Sequence, residues 1–416
     1  MNTRLHQCLV CFASFLCNGL VFGMINTFGI VYDTLVGRDN GKVASLKTSI
    51  VGGLPNALLF LSSAVAGMLI QTIGIRKTSA IGITLCVLAL VISSFTSNSI
   101  VMLYITIGIM LGIGSSFVYI PAMSILLYHF DENFGSINGI VTTGAAIFTI
   151  VFSVSIRPII KTFGLGYVFM IQAALYSLLY IGVFVWTKPA SYGSLDNEEK
   201  HLIKRKVSMK ELWNIKAYRF WLASFLVLRI GYGTAYLYLV RFTVEQKVPY
   251  NGDHLIMAIG FGSIVGRLIF GKISDSRHIS RIVLHQIAVY IYGVLLVLIP
   301  IGIKNKYAMY VISSSLGITT GIVNSLIVPI CNDILGPSRA SRGMSVAMSL
   351  MGIPIMLGPV VSGVIRDITG TYTTVFNINA IWAVIAAFMT LGAFYTFLQT
   401  KITQDTDSLS SSKYSN

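Results

Sequence analysis

Charge is scarce in this chain of 416 residues. Asp, Glu, Lys and Arg together make up 11% of it, and its mean hydropathy is +0.77. A soluble domain carries roughly a quarter charged residues, so a water-soluble globular class is excluded. Acidic groups are scarcer than basic ones, 15 against 30, yet the +15 balance does not point to nucleic acid, because the basic residues gather in turns between apolar runs. There is no GxxxxGK[ST] loop to cradle phosphates, which leaves ATP-driven work by this chain unsupported. No HExxH, no paired Cys/His ligand set and no Ser/His/Asp arrangement in a hydrophilic domain is present, so neither an enzyme nor a metal or other cofactor is expected. The five cysteines (Cys8, Cys11, Cys17, Cys86, Cys331) lie in apolar segments or at their ends and read as small core residues. The first apolar run lacks a small-residue cleavage site, and we expect a retained helix in place of a removed leader.

What remains is a succession of long apolar runs. A spanning helix needs about 20 apolar residues, and about twelve such segments fit the chain. They fall at roughly 8–36, 48–72, 78–96, 100–128, 135–157 and 163–187, then 217–241, 252–273, 280–303, 307–335, 342–366 and 371–400. The expected fold is therefore an all-α polytopic membrane protein in a lipid bilayer. It has two six-helix bundles, 1–187 and 217–402, a hydrophilic linker at 188–216 and a polar, disordered tail at 403–416. Within the linker, acidic Asp196, Glu198 and Glu199 precede KRKVSMKELW, and a short amphipathic helix is expected near Met209–Trp213. Lys and Arg concentrate on the side of the two termini and the linker, which places that side in the cytoplasm.

The halves echo one another. GMLIQTIGIRK (Gly67 to Lys77) follows the second helix and GKISDSR (Gly271 to Arg277) the eighth; both glycines are expected to let helices approach closely. Ser155-Ile156-Arg157 near the end of helix 5 matches Val364-Ile365-Arg366 near the end of helix 11, each followed by a Gly and a Tyr that begin the next helix. Such repeats imply a central route between two related bundles.

Within the stretch Met257 to Arg281, Arg267 interrupts an otherwise apolar, glycine-studded run. A charge in a hydrocarbon-length helix costs roughly 2.5–3.5 kcal/mol in insertion measurements, so it faces a wet cavity, an anion or a carboxylate. Two readings stand: a carboxylate-binding cation, or a structural charge paired to a neighbouring helix. Arg229 is a second intramembrane cation, either an anion anchor from the symmetry-related helix 7 or a side chain snorkelling to the interface. Tyr232 and Tyr236 share its helix face and either line a pocket for an organic anion or belong to an interfacial aromatic belt. Asp333 is a candidate partner for one of the arginines. Asn26, Asn56, Tyr119, Asn138 and Asn324 are polar groups that suit interhelical bonds as well as a ligand. His129 is expected in an exposed turn.

Several segments resemble the monocarboxylate transporter branch of the major facilitator superfamily. Helix 1 reads CFASFLCNGLVFGMINTFGIVYDTL (Cys11 to Leu35), helix 4 GIGSSFVYIPAMSILLYHF (Gly112 to Phe130), helix 5 INGIVTTG (Ile137 to Gly144) and helix 11 ends in GPVVSGVIRDITGTY (Gly358 to Tyr372). The resemblance covers all but the linker and tail. It implies a twelve-helix carrier of the plasma membrane, a small organic anion as substrate and, by family habit, an ancillary single-span membrane partner. Proton-coupled members carry a lysine in helix 1 and an Asp–Arg pair in helix 8; here those positions hold Asn26, Ser263 and Arg267, so only the arginine matches.

Together these readings lead us to expect a secondary transporter of monocarboxylates or related anions working by alternating access. Its substrate-binding set is Arg267, Ser263, Asn26, Arg229, Tyr232 and Tyr236, and proton coupling is weakened by the two replaced positions. The alternatives are a non-transporting membrane sensor or interaction protein on a carrier scaffold, and a carrier of amino-acid-like or neutral solutes.

Overall fold

The computed structural model describes residues 3–38, 45–130, 134–187, 209–273 and 280–413. Hydrocarbon offers the backbone no hydrogen-bond partner, so so apolar a chain satisfies its amides inside each segment, and helices do this. Among the described residues, 12 helical spans are long and apolar enough to cross a membrane. In the first half they are α1 (Arg4–Gly37), α2 (Lys47–Ile70), α3 (Ile75–Phe95), α4 (Ile100–Leu126), α5 (Ile137–Phe163) and α6 (Leu165–Val185). In the second they are α7 (Lys216–Glu245), α8 (Asp253–Phe270), α9 (Arg281–Gly302), α10 (Lys306–Leu335), α11 (Gly343–Thr369) and α12 (Tyr372–Gln399). Successive spans alternate in direction. The ends at which α1 and α7 begin form one face, called here the terminal face, and the other ends form the far face.

Residues 188–208 of the expected linker lie outside the described residues, and the described remainder holds the short helix Met209–Trp213 that its pattern predicts. The expected disordered tail is corrected: helix continues from Tyr372 to Lys413, past residue 402, and residues 393–413 contain no Gly or Pro to stop it. A second correction concerns Gly67, where an added Cβ would meet nothing within 4 Å. The turn that follows is made instead by Gly74, whose φ of 87° suits a residue without Cβ. The counterpart turn at 274–279 lies outside the described residues. By contrast, the echo at the ends of α5 and α11 is structural, since Gly164 and Gly370, with φ of 91° and 73°, make equivalent far-face turns.

The bundles meet along α2 with α11, α5 with α8, and α1 with α7. Small residues permit this, as they must where lipid removes the hydrophobic drive between helices. A Cβ at Gly53 would stand 2.6 Å from the Pro359 ring, and one at Gly260 would stand 2.7 Å from Ile150. Inside the second bundle, Gly262 and Gly266 of α8 interlock with Gly317 and Gly321 of α10, which sets the position of the α8 backbone that carries Arg267. Gly321→Val would drive a side chain against the Ser263 carbonyl, 2.6 Å from the first added carbon. We expect a loss of about 1–3 kcal/mol, read as a lower Tm of the purified protein, with Gly67→Val unaffected.

Candidate functional site

Arg267 stands in the terminal-side third of α8, nearer that face than the midplane, and its side chain is half-buried at the contact with α5 of the other bundle. Its Nε donates to Ser263 Oγ, one turn earlier, at 3.3 Å. Its Nη1 donates to the backbone carbonyl of Thr142 on α5, so one guanidinium bridges the two halves. The hydroxyl-bearing rings of Tyr119 (α4), Tyr232 and Tyr236 (α7) lie within electrostatic reach. All three are half-buried although they sit well inside their spans. No carboxylate among the described residues forms an ion pair with Arg267. A charge held by a hydroxyl and one carbonyl retains its power to bind an anion, and the guanidinium fork matches a carboxylate in shape.

The remaining expected site residues divide. Asn26 is half-buried on α1, but its Nδ2 donates to Thr149 Oγ1 of α5 at 3.0 Å, a bond within its own bundle. Arg229 lies inside the second bundle, 6% exposed, with Cζ 4.4 Å from the Tyr232 ring and 4.7 Å from the Phe225 ring. It neither snorkels to the interface nor joins Arg267. Its Nη2 donates to Asn324 Oδ1 at 3.2 Å, Asn324 Nδ2 donates to Tyr232 Oη at 2.8 Å, and Tyr232 Oη donates to the Thr320 carbonyl at 3.0 Å. Tyr232 thus packs under Arg229 and lies within electrostatic reach of Arg267. Asp333 pairs with neither buried arginine: it accepts from Arg281 at 2.7 Å near the terminal face, within reach because both lie at helix ends. His129 is half-buried instead of exposed. Its Nε2 is 2.9 Å from the Thr187 carbonyl, its ring lies 5.2 Å from that of His6, and burial holds its imidazole below the usual histidine value. Cys17, Cys86 and Cys331 are buried as expected, whereas Cys8 is exposed.

Sequence reading missed the far face. Asp33, at the end of α1, accepts from Arg157 of α5 at 3.1 Å and from Arg241 of α7 at 3.2 Å. Arg157 also holds Asp253 at the start of α8, with Nη2 donating to Oδ1 at 2.9 Å. Two of these links cross between the bundles. Beneath them, Tyr32 Oη and Tyr372 Oη are 2.9 Å apart and the Tyr238 ring packs on both, while Tyr238 Oη donates to Ser49 Oγ at 2.9 Å. These three tyrosines are at most 1% exposed, so the far face is closed by a fully buried aromatic layer under an ionic one. Among the described residues every ion pair that joins the halves lies here. The available signal was the Arg157 and Arg366 echo, since Arg366 holds Glu245 at 2.9 Å at the equivalent place.

A family model described as Major Facilitator Superfamily matches residues 11–353. The chain is similar to Monocarboxylate transporter 10 of Homo sapiens, 29% identical over 389 residues, covering 90% of this chain and 75% of that protein. The Mus musculus protein of the same name is 30% identical over the same shares. Monocarboxylate transporter 2 of Rattus norvegicus is 22% identical over 394 residues, covering 90% of this chain and 80% of the relative. Among solved structures, the nucleoside transporter NupG superposes with a TM-score of 0.72 at 16% identity, covering 94% of this chain and 100% of that one.

Asp33→Asn removes the acceptor that Arg157 and Arg241 share, leaving partly buried guanidinium groups with weaker partners. Allowing for their partial exposure, we expect a loss of about 1–3 kcal/mol, measured as a fall in Tm that Asn26→Ala does not match.

Proposed function

Because the chain belongs to the major facilitator superfamily and, within it, to the monocarboxylate transporter family, we propose that it carries small organic anions, monocarboxylates foremost, by alternating access. The observation that carries this reading is Arg267: a guanidinium at the bundle interface, ringed by tyrosine hydroxyls, with no carboxylate partner among the described residues. The substrate supplies the missing counter-charge. Tyr119, Tyr232 and Tyr236 give the cleft its amphipathic lining, and buried Ser263 steadies Nε.

The same guanidinium links binding to movement. A carboxylate arriving at Arg267 competes with the Thr142 carbonyl for Nη1, and displacing that bond frees α8 from α5 at the terminal side. With both termini cytoplasmic in a plasma-membrane protein, as the Lys and Arg distribution supports, the far face is the outer one, and the structure stands for the state closed to the outside. The ionic and tyrosine layers then separate when the bundles rock the other way.

Transport is facilitative. Ser263 accepts a hydrogen bond from Arg267 but titrates at no physiological pH, and a guanidinium keeps its proton throughout, so neither group carries a proton across. In proteoliposomes, Arg267→Ala abolishes uptake of labelled monocarboxylates while the variant elutes and melts as a folded protein; unchanged flux would refute the assignment. An imposed pH gradient changes wild-type uptake less than twofold, whereas accumulation that collapses with the gradient would show proton coupling.

A further inference from the structure

Behind Tyr232, the second bundle buries a guanidinium that transport at Arg267 does not use. The partners of Arg229 among the described residues are neutral: the rings of Phe225 and Tyr232 and the amide oxygen of Asn324. No Asp or Glu among the described residues pairs with it, and Asp333 of α10 is already engaged by Arg281. A ring face and an amide dipole offset part of a buried charge but do not cancel it.

The bonding tells the same story. Arg229 Nε is buried with no acceptor. His285 of α9 is 1% exposed, and both of its ring nitrogens lack a hydrogen-bond partner. The two side chains lie within electrostatic reach of each other. A neutral imidazole bears one N–H, so each residue brings an unanswered donor to one region of a single bundle. Buried polar groups are almost always satisfied, and two neighbouring orphans beside an uncompensated cation share one remedy. Water would take the hydrogen bonds and leave the charge. An anion answers both.

Size follows from what surrounds the place. Tyr232 is stacked on Tyr292 at 5.6 Å, its hydroxyl is held by Thr320 and Asn324, and Tyr292 Oη donates to the Tyr232 carbonyl at 2.8 Å. That clamped pair stands beside Arg229 on the Arg267 side, and side chains held so firmly favour a small ion over an organic acid. We propose that Arg229 and His285 hold a small monovalent inorganic anion, of the chloride class, inside the second bundle. The ion neutralises Arg229 and so lets Asn324 and Tyr232 keep their places in the wall of the transport cleft. It is a resident ion, distinct from the anion carried at Arg267.

The test uses full-length purified protein exchanged into gluconate, then titrated with sodium bromide or sodium formate at constant ionic strength. We expect bromide to give a saturable rise in Tm of roughly 2–5 °C. His285→Phe weakens the apparent bromide affinity about tenfold or more, and His285→Asn, which restores an N–H donor, recovers part of it. Arg229→Met removes the response, and should that variant not fold, the His285 pair carries the test. Anomalous scattering from bromide-soaked crystals places a peak beside Arg229 Nε and His285. Absence of a saturable bromide effect, an equal effect in His285→Phe, or a peak only at Arg267 overturns the proposal. So does stabilisation by formate alone, which would make the site one for carboxylates. Arg267→Ala separates the two readings: its loss of flux with the bromide response intact leaves the resident ion standing, and lost flux bears only on the transport site.

Discussion

The structure depends on a shared carboxylate. Asp33 takes hydrogen bonds from an arginine of its own bundle and an arginine of the other, and Arg157 passes the link on to Asp253. That small network joins the two bundles at the far face, at the opposite end of α8 from Arg267. Its groups are partly exposed: the two arginines retain 24% and 23% of their side-chain surface. Ion pairs in such a setting contribute modestly, on the order of 1 kcal/mol each. A latch of that strength holds a face closed without making its opening prohibitive, and the tyrosines beneath it complete the seal by packing.

The two halves use the same parts differently. Each ends its first helix with an acid and its fifth with an arginine, and each joins them: Asp33 to Arg157 and Glu245 to Arg366. Arg157 then reaches across to α8, while Arg366 lies over Tyr372, 4.8 Å from its ring centre, and stays in its own bundle. A repeated element thus becomes a latch in one half and a brace in the other. Asymmetry of this kind is what a carrier requires, because perfectly equivalent contacts would give neither facing state an identity.

Deeper in, two arginines without acidic partners among the described residues are treated in opposite ways by one tyrosine. Tyr232 presents its ring to Arg229 and its neighbourhood to Arg267, and its hydroxyl is fixed by α10. On one side the charge lies at the contact between the two bundles. On the other it lies in the interior of a single bundle. The first setting suits a passenger and the second a resident ion.

Much of the architecture was legible without coordinates. Twelve apolar runs, the six-plus-six division, the short helix at Met209–Trp213 and the α5/α11 echo follow from local rules: hydrocarbon thickness, internal backbone bonding and the residues that turn a chain. Arg267 and Ser263 were legible as well, since a turn's spacing puts them together on any helix. What no local rule contains is partnership across the interface. Asp33 and Asp253 stood unremarked within their helices, Asp333 was a candidate partner for one of the arginines, and Arg229 had two readings, because a one-dimensional pattern records how far a charge is from a helix end and not which other helix it faces. The sequence by itself determined that this is a twelve-helix membrane carrier with costly buried cations. Only tertiary structure decided which cations meet each other's acids, which face the cleft and which lie in the interior of a single bundle, since those outcomes depend on how two bundles pack.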